Sequence, residues 1–292
     1  MKVSFSTLGC PSWSLARVIA TAGQLAYDGI ELRFLEGDDA LWARPELSGQ
    51  GLPETRRKLE DAGLSVACVD SRSFFHFPDA AARRAAREEA ERIVDVAAAL
   101  RSPGIRVFGD RVQEGADLDS TRGWIAESLA ALRDKARPSG VEVWLETHGE
   151  FATGAAARSV LERVPNGGVG VIWDPVNAFS EFGEAPEDGA RALGAAIRHV
   201  HLKDVKRSAP ASPWTPVLLG EGAFPAERTI ALLQAAGYTG FLSFEWEKRW
   251  YPQIEEPEVA LPHFRAWVLS RLKGGEGRDP RAGRSGFPKR ED

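Results

Sequence analysis

Four side chains able to bind a hard metal ion end four short apolar runs in the second half of the chain. They are Glu146 in VEVWLETHG, Asp174 in VGVIWDPVN, His201 in IRHVHLKDV and Glu245 in GFLSFEWEK. Carboxylate oxygens with an imidazole nitrogen form a donor set that suits Mg²⁺, Mn²⁺ or a similar divalent ion. A cation held there can chelate a hydroxyl and an adjacent carbonyl, polarise the carbonyl and acidify the neighbouring C–H bond. Glu146 and Glu245 are the candidate acid–base pair: one removes the proton and the other returns one. Return to the opposite face is epimerisation, delivery to the adjacent carbon is isomerisation, and loss of a β-hydroxyl is dehydration.

The elements that position these groups follow from alternation, because successive strand side chains point to opposite faces. Val141, Val143 and Leu145 share one face of the first run, leaving Trp144, Glu146 and His148 on the other. Val200 and Leu202 leave His199, His201 and Lys203 opposite them, and Leu242, Phe244 and Trp246 leave Glu245 opposite. Taken singly, each group has a plainer reading. Glu146 could pair with an arginine, Asp174 could cap the turn before Pro175, and His201 could be a satisfied interior histidine. Four such groups at four strand ends are hard to explain as packing, since an unpaired buried charge is costly.

Eight strand-like runs alternate with helical stretches: KVSFSTLG, GIELRF, LSVACVDS, GIRVFGD, VEVWLETH, VGVIWDP, IRHVHLKD and GFLSFEWE. Helical pattern fills Ser14–Tyr27, Leu52–Ala62, Asp79–Leu100, Ser120–Ala136, Phe224–Ala236 and about Pro257 to Lys273. Gly29, Gly63, Gly140 and Gly240 stand between helix and strand, where glycine accepts the left-handed turn that closes a helix. A strict β-then-α order implies parallel strands. At this length a single-domain (β/α)₈ TIM barrel over residues 1–273 is the economical closure, with functional groups at the C-terminal strand ends. An open doubly wound sheet would need a glycine-rich phosphate loop, and none is found. Residues 274–292, rich in Gly, Pro and charge, form a tail outside the barrel pattern. The connection from Val205 to Phe224 could form a lid, and Asp110–Asp119 could line the opposite wall.

Composition limits the class. The 292 residues include 43% hydrophobic and 27% charged, as expected of a globular core, and the formal net charge of −5 disfavours nucleic acid. No apolar run approaches ~18 residues and nothing after Met1 resembles a signal peptide, so a cytoplasmic enzyme without a membrane partner is expected. Cys10 and Cys68 lack metal-ligand spacing and read as buried thiols, with one disulfide left open.

YDGIELR, LETHG, IWDPVNA, HVHLKD, LGEGAFP and GYTGFLSFEWE, in this order from about Val3 to Leu272, resemble the sugar phosphate isomerase/epimerase family with its xylose-isomerase-like barrel. HVHLKD followed by GEG and a strand-end Glu is the specific part of that likeness. The family includes ketose 3-epimerases, hydroxypyruvate isomerases, inosose dehydratases and 3-dehydroshikimate dehydratases. The resemblance implies one divalent ion, Mn²⁺ or Mg²⁺ first and Co²⁺ or Zn²⁺ next, on Glu146, Asp174, His201 and Glu245. It implies a carbohydrate substrate turned over by isomerisation or epimerisation, with dehydration as the alternative and a non-catalytic sugar-binding barrel as the second. His148, Asn177, Lys203, Arg207 and Arg33 are the candidate substrate contacts. Arg207 matches an arginine of the ketose 3-epimerases, while Asn177 stands where those enzymes often have histidine. Lys203 and Arg207 are expected at the rim. Arg33 could meet a carboxylate or phosphate, or pair internally with Glu31. Trp13, Phe74 and Trp246 could form an apolar wall against a sugar face. A homo-oligomer is compatible with the family. DNA-cleaving members with a three-zinc centre need more histidines than His76 and the remote His263 supply.

Overall fold

A computed structural model describes residues 1–273, so the tail over 274–292 lies outside the described residues. Eight parallel strands close into a barrel: β1 (Lys2–Ser6), β2 (Gly29–Leu32), β3 (Ser65–Phe74), β4 (Gly104–Asp110), β5 (Glu142–Gly149), β6 (Gly170–Trp173), β7 (Ile197–Leu202) and β10 (Phe241–Phe244). Every expected strand run forms one of these. The ring closes where Lys2, Val3, Ser4 and Phe5 of β1 register with Phe241, Leu242, Ser243 and Phe244 of β10.

Alternation sorts the side chains into two cores. Val143, Leu145, Val171, Trp173, Val200, Leu202, Leu242 and Phe244 are buried in the apolar layer that includes helix residues such as Val18, Ile93, Leu129 and Ile230. Cys68, Trp144 and Ile172 form a separate small cluster inside the ring. There Trp144 stacks on His199 with ring centroids 5.9 Å apart and forms the floor beneath the site. A Cβ at Gly104 would lie 2.3 Å from the Trp144 ring, so only glycine lets β4 pass this floor. Truncating a fully buried layer residue such as Leu145 to alanine would cost about 2–5 kcal/mol.

The helices between strands are α1 (Leu15–Gln24), α2 (Gly51–Asp61), α3 (Ala80–Ala99), α4 (Leu118–Ala136), α5 (Gly154–Leu161), α6 (Pro175–Phe182), α7 (Pro186–Leu193), α8 (Ala226–Ala235) and α9 (Pro257–Lys273). Ser14, Asp79, Asp117, Thr153 and Asp174 cap five of them by accepting backbone N–H bonds. Gly63 and Gly140 do take the left-handed turn, at φ 67° and 73°. Gly29 and Gly240 do not. Ala26 and Gly237 make the left-handed turns after α1 and α8, and Gly29 is needed because a Cβ there would sit 2.7 Å from the Ser65 carbonyl oxygen.

The connection over Val205–Phe224, with Asp204 before it, holds an antiparallel hairpin of β8 (Asp204–Lys206) and β9 (Thr215–Val217). Both cysteines are free and buried. Among the described residues, no helix is long and apolar enough to cross a membrane.

Candidate metal centre and substrate cavity

Strands β5, β6, β7 and β10 deliver Glu146, Asp174, His201 and Glu245 to one end of the barrel, where each offers a ligand atom within 4.8 Å of the others. All four are buried, Glu245 the least so at 4% exposed. Asp174 is the N-cap of α6: its Oδ1 accepts the N–H groups of Val176 and Asn177 at 2.9 and 3.0 Å, which turns Oδ2 toward the cluster. His201 is aimed from below, because its Nε2 pairs with Glu31 Oε1 at 3.0 Å. That leaves Nδ1 without a hydrogen-bond partner, 3.3 Å from Glu245 Oε1 and 3.8 Å from Glu146 Oε1.

Arg106 and Lys203 bridge the carboxylates. Arg106 Nη1 lies 3.0 Å from Glu146 Oε2 and 3.4 Å from Glu245 Oε1, with Asp70 at 3.3 Å. Lys203 Nζ lies 2.8 Å from both Asp174 Oδ2 and Glu245 Oε2, and 2.6 Å from Glu247 Oε1. Even so, Glu146 Oε2 and Asp174 Oδ2 are close to these cations without hydrogen-bond alignment and count as buried atoms without a partner. Burial pushes the Asp70 carboxyl well up, toward its neutral form, and the carboxylates around His201 favour its charged form. The buried carboxyls of Glu31, Glu146, Asp174 and Glu245 still outnumber Arg106, Lys203 and His201 beside them. Burying that excess of negative charge is costly unless a further cation offsets it. The orphaned Nδ1 and carboxylate oxygens therefore fit a divalent ion with oxygen and nitrogen ligands.

Ionisation follows the same balance. Burial opposes the charge on Glu245, but His201, Lys203 and Arg106 outweigh it and hold its carboxyl at about 2. Burial is also opposed at Glu146, chiefly by Arg106, and its carboxyl lies below the usual value. At Asp174 burial prevails over Lys203 and, with the Glu245 charge, pushes the carboxyl up to about 6.

Above these groups lies a cavity of about 420 Å³. Glu146, Glu245, Arg106 and Lys203 line its floor, His148 and Asn177 a side, and Arg33, Phe74 and Phe108 another. Trp214 of the hairpin connection, Trp250 and Tyr251 complete the mouth. His148 is held by Asp110 Oδ1 at 2.8 Å, and Asn177 donates from Nδ2 to the Thr147 carbonyl at 3.1 Å.

Several expected placements differ. Lys203 is not at the rim: it is 3% exposed and spans three carboxylates, while Asp204 is taken up by four backbone N–H groups. Arg207 lies outside the cavity lining, stacked over Trp214 and donating to the Pro210 carbonyl. Arg33 does not pair with Glu31, because His199 and His201 occupy both Glu31 oxygens. Of the proposed apolar wall only Phe74 lines the cavity; Trp246 is fully buried and bonded to the Glu255 carbonyl, and Trp13 packs elsewhere. Arg106 and Asp70 were missed, although alternation in GIRVFGD and LSVACVDS points both inward.

A closed eight-stranded β/α barrel with carboxylates and a histidine at its strand ends defines a class of TIM-barrel protein with a candidate metal centre. The chain belongs to the xylose isomerase-like TIM barrel family, whose model matches residues 17–267. It is 24% identical over 241 residues to an inosose isomerase of Halalkalibacterium halodurans, with 80% of this chain and 83% of that protein covered. Among solved structures, the IOLI protein with a bound zinc atom matches at a TM-score of 0.79 and 19% identity, covering 94% of this chain and 99% of that one. The probable 3-DHS dehydratase AsbF of Bacillus anthracis matches at 0.74 and 20%, covering 92% and 99%. At such identities the solved structures establish the shared fold.

Proposed function

We propose that the chain is a divalent-metal-dependent isomerase or epimerase of a small sugar or sugar-like hydroxy-carbonyl compound. The observation that carries this reading is the convergence of Glu146, Asp174, His201 and Glu245 donor atoms within 4.8 Å beneath the cavity. Mn²⁺ or Mg²⁺ held by these four residues would supply Lewis-acid polarisation of a substrate carbonyl. Glu146 and Glu245, both held ionised, line the cavity. Either can take a proton from a substrate carbon and that same carboxyl can return it; delivery from the other requires that it first gain a proton from solvent. Lys203, spanning Asp174, Glu245 and Glu247, keeps Glu245 oriented toward the cavity. His148 and Asn177, each pinned by a hydrogen bond, are placed to bind hydroxyls, and the aromatic mouth packs a sugar face and excludes water.

The dehydratase reading has one observation in its favour. Glu247 lines the cavity and accepts a hydrogen bond from Lys203 at 2.6 Å, which places a third glutamate beside a departing hydroxyl.

The test is metal analysis of the purified protein, followed by a solvent-deuterium screen over ketoses, inososes and hydroxypyruvate. A bound divalent ion and deuterium uptake at one carbon are expected. Glu146→Gln and Glu245→Gln should each slow exchange by about 10²–10⁴-fold. A conjugated, absorbing product would favour dehydration. Retained function with ligand bound in both variants, or an absence of ion and exchange, would overturn the enzyme reading.

A further inference from the structure

Arg33 is the basic group of the cavity whose hydrogen-bonding capacity is least used. The guanidinium is 9% exposed, yet among the described residues its one ion pair is with Asp39 Oδ2 at 3.4 Å. Asp39 is shared, since Arg72 Nη1 lies 3.3 Å from its other oxygen. Among the described residues, Nε and Nη2 of Arg33 donate to no protein group and neither is a sealed-in orphan, and Arg33 itself lines the cavity. The other basic groups of the lining are more fully engaged: Arg106 with Asp70, Glu146 and Glu245, Lys203 with Asp174, Glu245 and Glu247, and His148 through its Nδ1 with Asp110.

The arginine is also held in place. Thr7 Oγ1 accepts the backbone N–H groups of Arg33 and Phe34 at 2.7 and 3.0 Å, fixing the end of β2. The guanidinium then stacks 4.4 Å over the Phe34 ring. Burial first, and then repulsion from Arg106, outweighs Asp70 and the shared Asp39 and lowers its pKa to about 10, so it stays charged at neutral pH. A buried, preorganised guanidinium with a free edge matches one planar acceptor.

We propose that Arg33 is the anion anchor of this cavity, and that the substrate is a hydroxy-carbonyl acid whose carboxylate pairs with its free edge. The inference rests on the functional reading above and narrows its substrate class. A phosphate ester is the poorer fit: it brings about two charges and three acceptor oxygens, and the neighbouring cations are already spent on protein carboxylates.

The experiment compares binding of matched probes to the full-length, Mn²⁺-loaded protein by calorimetry. Fructose is set against fructuronate and fructose 6-phosphate, tagatose against tagaturonate, and dihydroxyacetone against hydroxypyruvate and dihydroxyacetone phosphate. At least one acid should bind about tenfold or more tightly than its neutral partner and than its phosphate. Arg33→Met should erase the preference, and Arg33→Lys, which keeps the charge but loses the fork, should retain only part of it. Circular dichroism checks that each variant is folded, and the wild-type comparison stands without them. Absence of an acid preference in every pair, a phosphate preference, or a preference that survives in Arg33→Met overturns the proposal. Neutral ketoses exchanging deuterium as well as the acids would sink the anchor while leaving the isomerase reading intact. An acid preference in protein that neither retains metal nor exchanges hydrogen would do the reverse.

Discussion

Glu31 receives two imidazoles, Nε2 of His199 at 2.6 Å and Nε2 of His201 at 3.0 Å. A carboxylate only accepts, so both Nε2 atoms carry hydrogen, and Nδ1 of His201 faces the cluster above. Against burial, the surrounding Glu245, Glu31 and Glu146 carboxylates raise the His201 pKa, so an incoming ion takes Nδ1 by displacing its proton. Glu31→Gln puts a donor against one of those rings. Its Mn²⁺ affinity should fall about 10–100-fold in calorimetric titration, and unchanged affinity would remove Glu31 from the site. Protons compete for the same donors. With the Asp174 carboxyl pushed up to about 6, ion binding must displace a proton below that pH, so Mn²⁺ affinity should weaken as pH falls from 8 to 5. The four candidate ligands were legible because each terminates an alternating run. Glu31's choice of partner was not, because its histidines stand 168 and 170 residues away and only ring closure shows which inward groups meet.

At the scale of elements, the hairpin above the cavity is tied down by one side chain. Asp204 accepts N–H groups from Val205 and Phe224 on Oδ1, at 2.8 and 3.1 Å, and from Gly220 and Gly222 on Oδ2, both at 2.9 Å. Gly222 must be glycine there, since a Cβ would lie 2.0 Å from Asp204 Oδ1. Asp204→Ala would leave these donors unmatched and cost about 3 kcal/mol in chemical denaturation. Hydrogen exchange over residues 205–224 should rise more than over the barrel strands; uniform loosening would argue against a local anchor. The eight barrel strands were readable from periodicity, but β8 and β9 were not. Each is three residues long, too short for alternation to register, and the stretch between them reads only as turn-rich.

For the molecule as a whole, acid stability is set in part by carboxylates held ionised. Burial opposes the charge on Asp110, but hydrogen bonds from His148 and Arg111 outweigh it and bring its carboxyl from 3.8 to about 2. A depressed folded-state pKa contributes stability in full above the unfolded value and loses it as pH falls through the folded one. Melting temperatures of wild type and Asp110→Asn should therefore differ most above pH 4 and converge toward pH 2. A gap independent of pH would assign Asp110 a packing role only. The barrel itself was legible from β-then-α order, and its closure has a consequence for how the protein is made. Because Lys2–Phe5 can find their second neighbour only in Phe241–Phe244, a nascent chain on the ribosome carries a half-paired first strand through most of translation. Such an unpaired edge invites aggregation, so low expression temperature and chaperone supply should govern yield more than the stability of the finished ring.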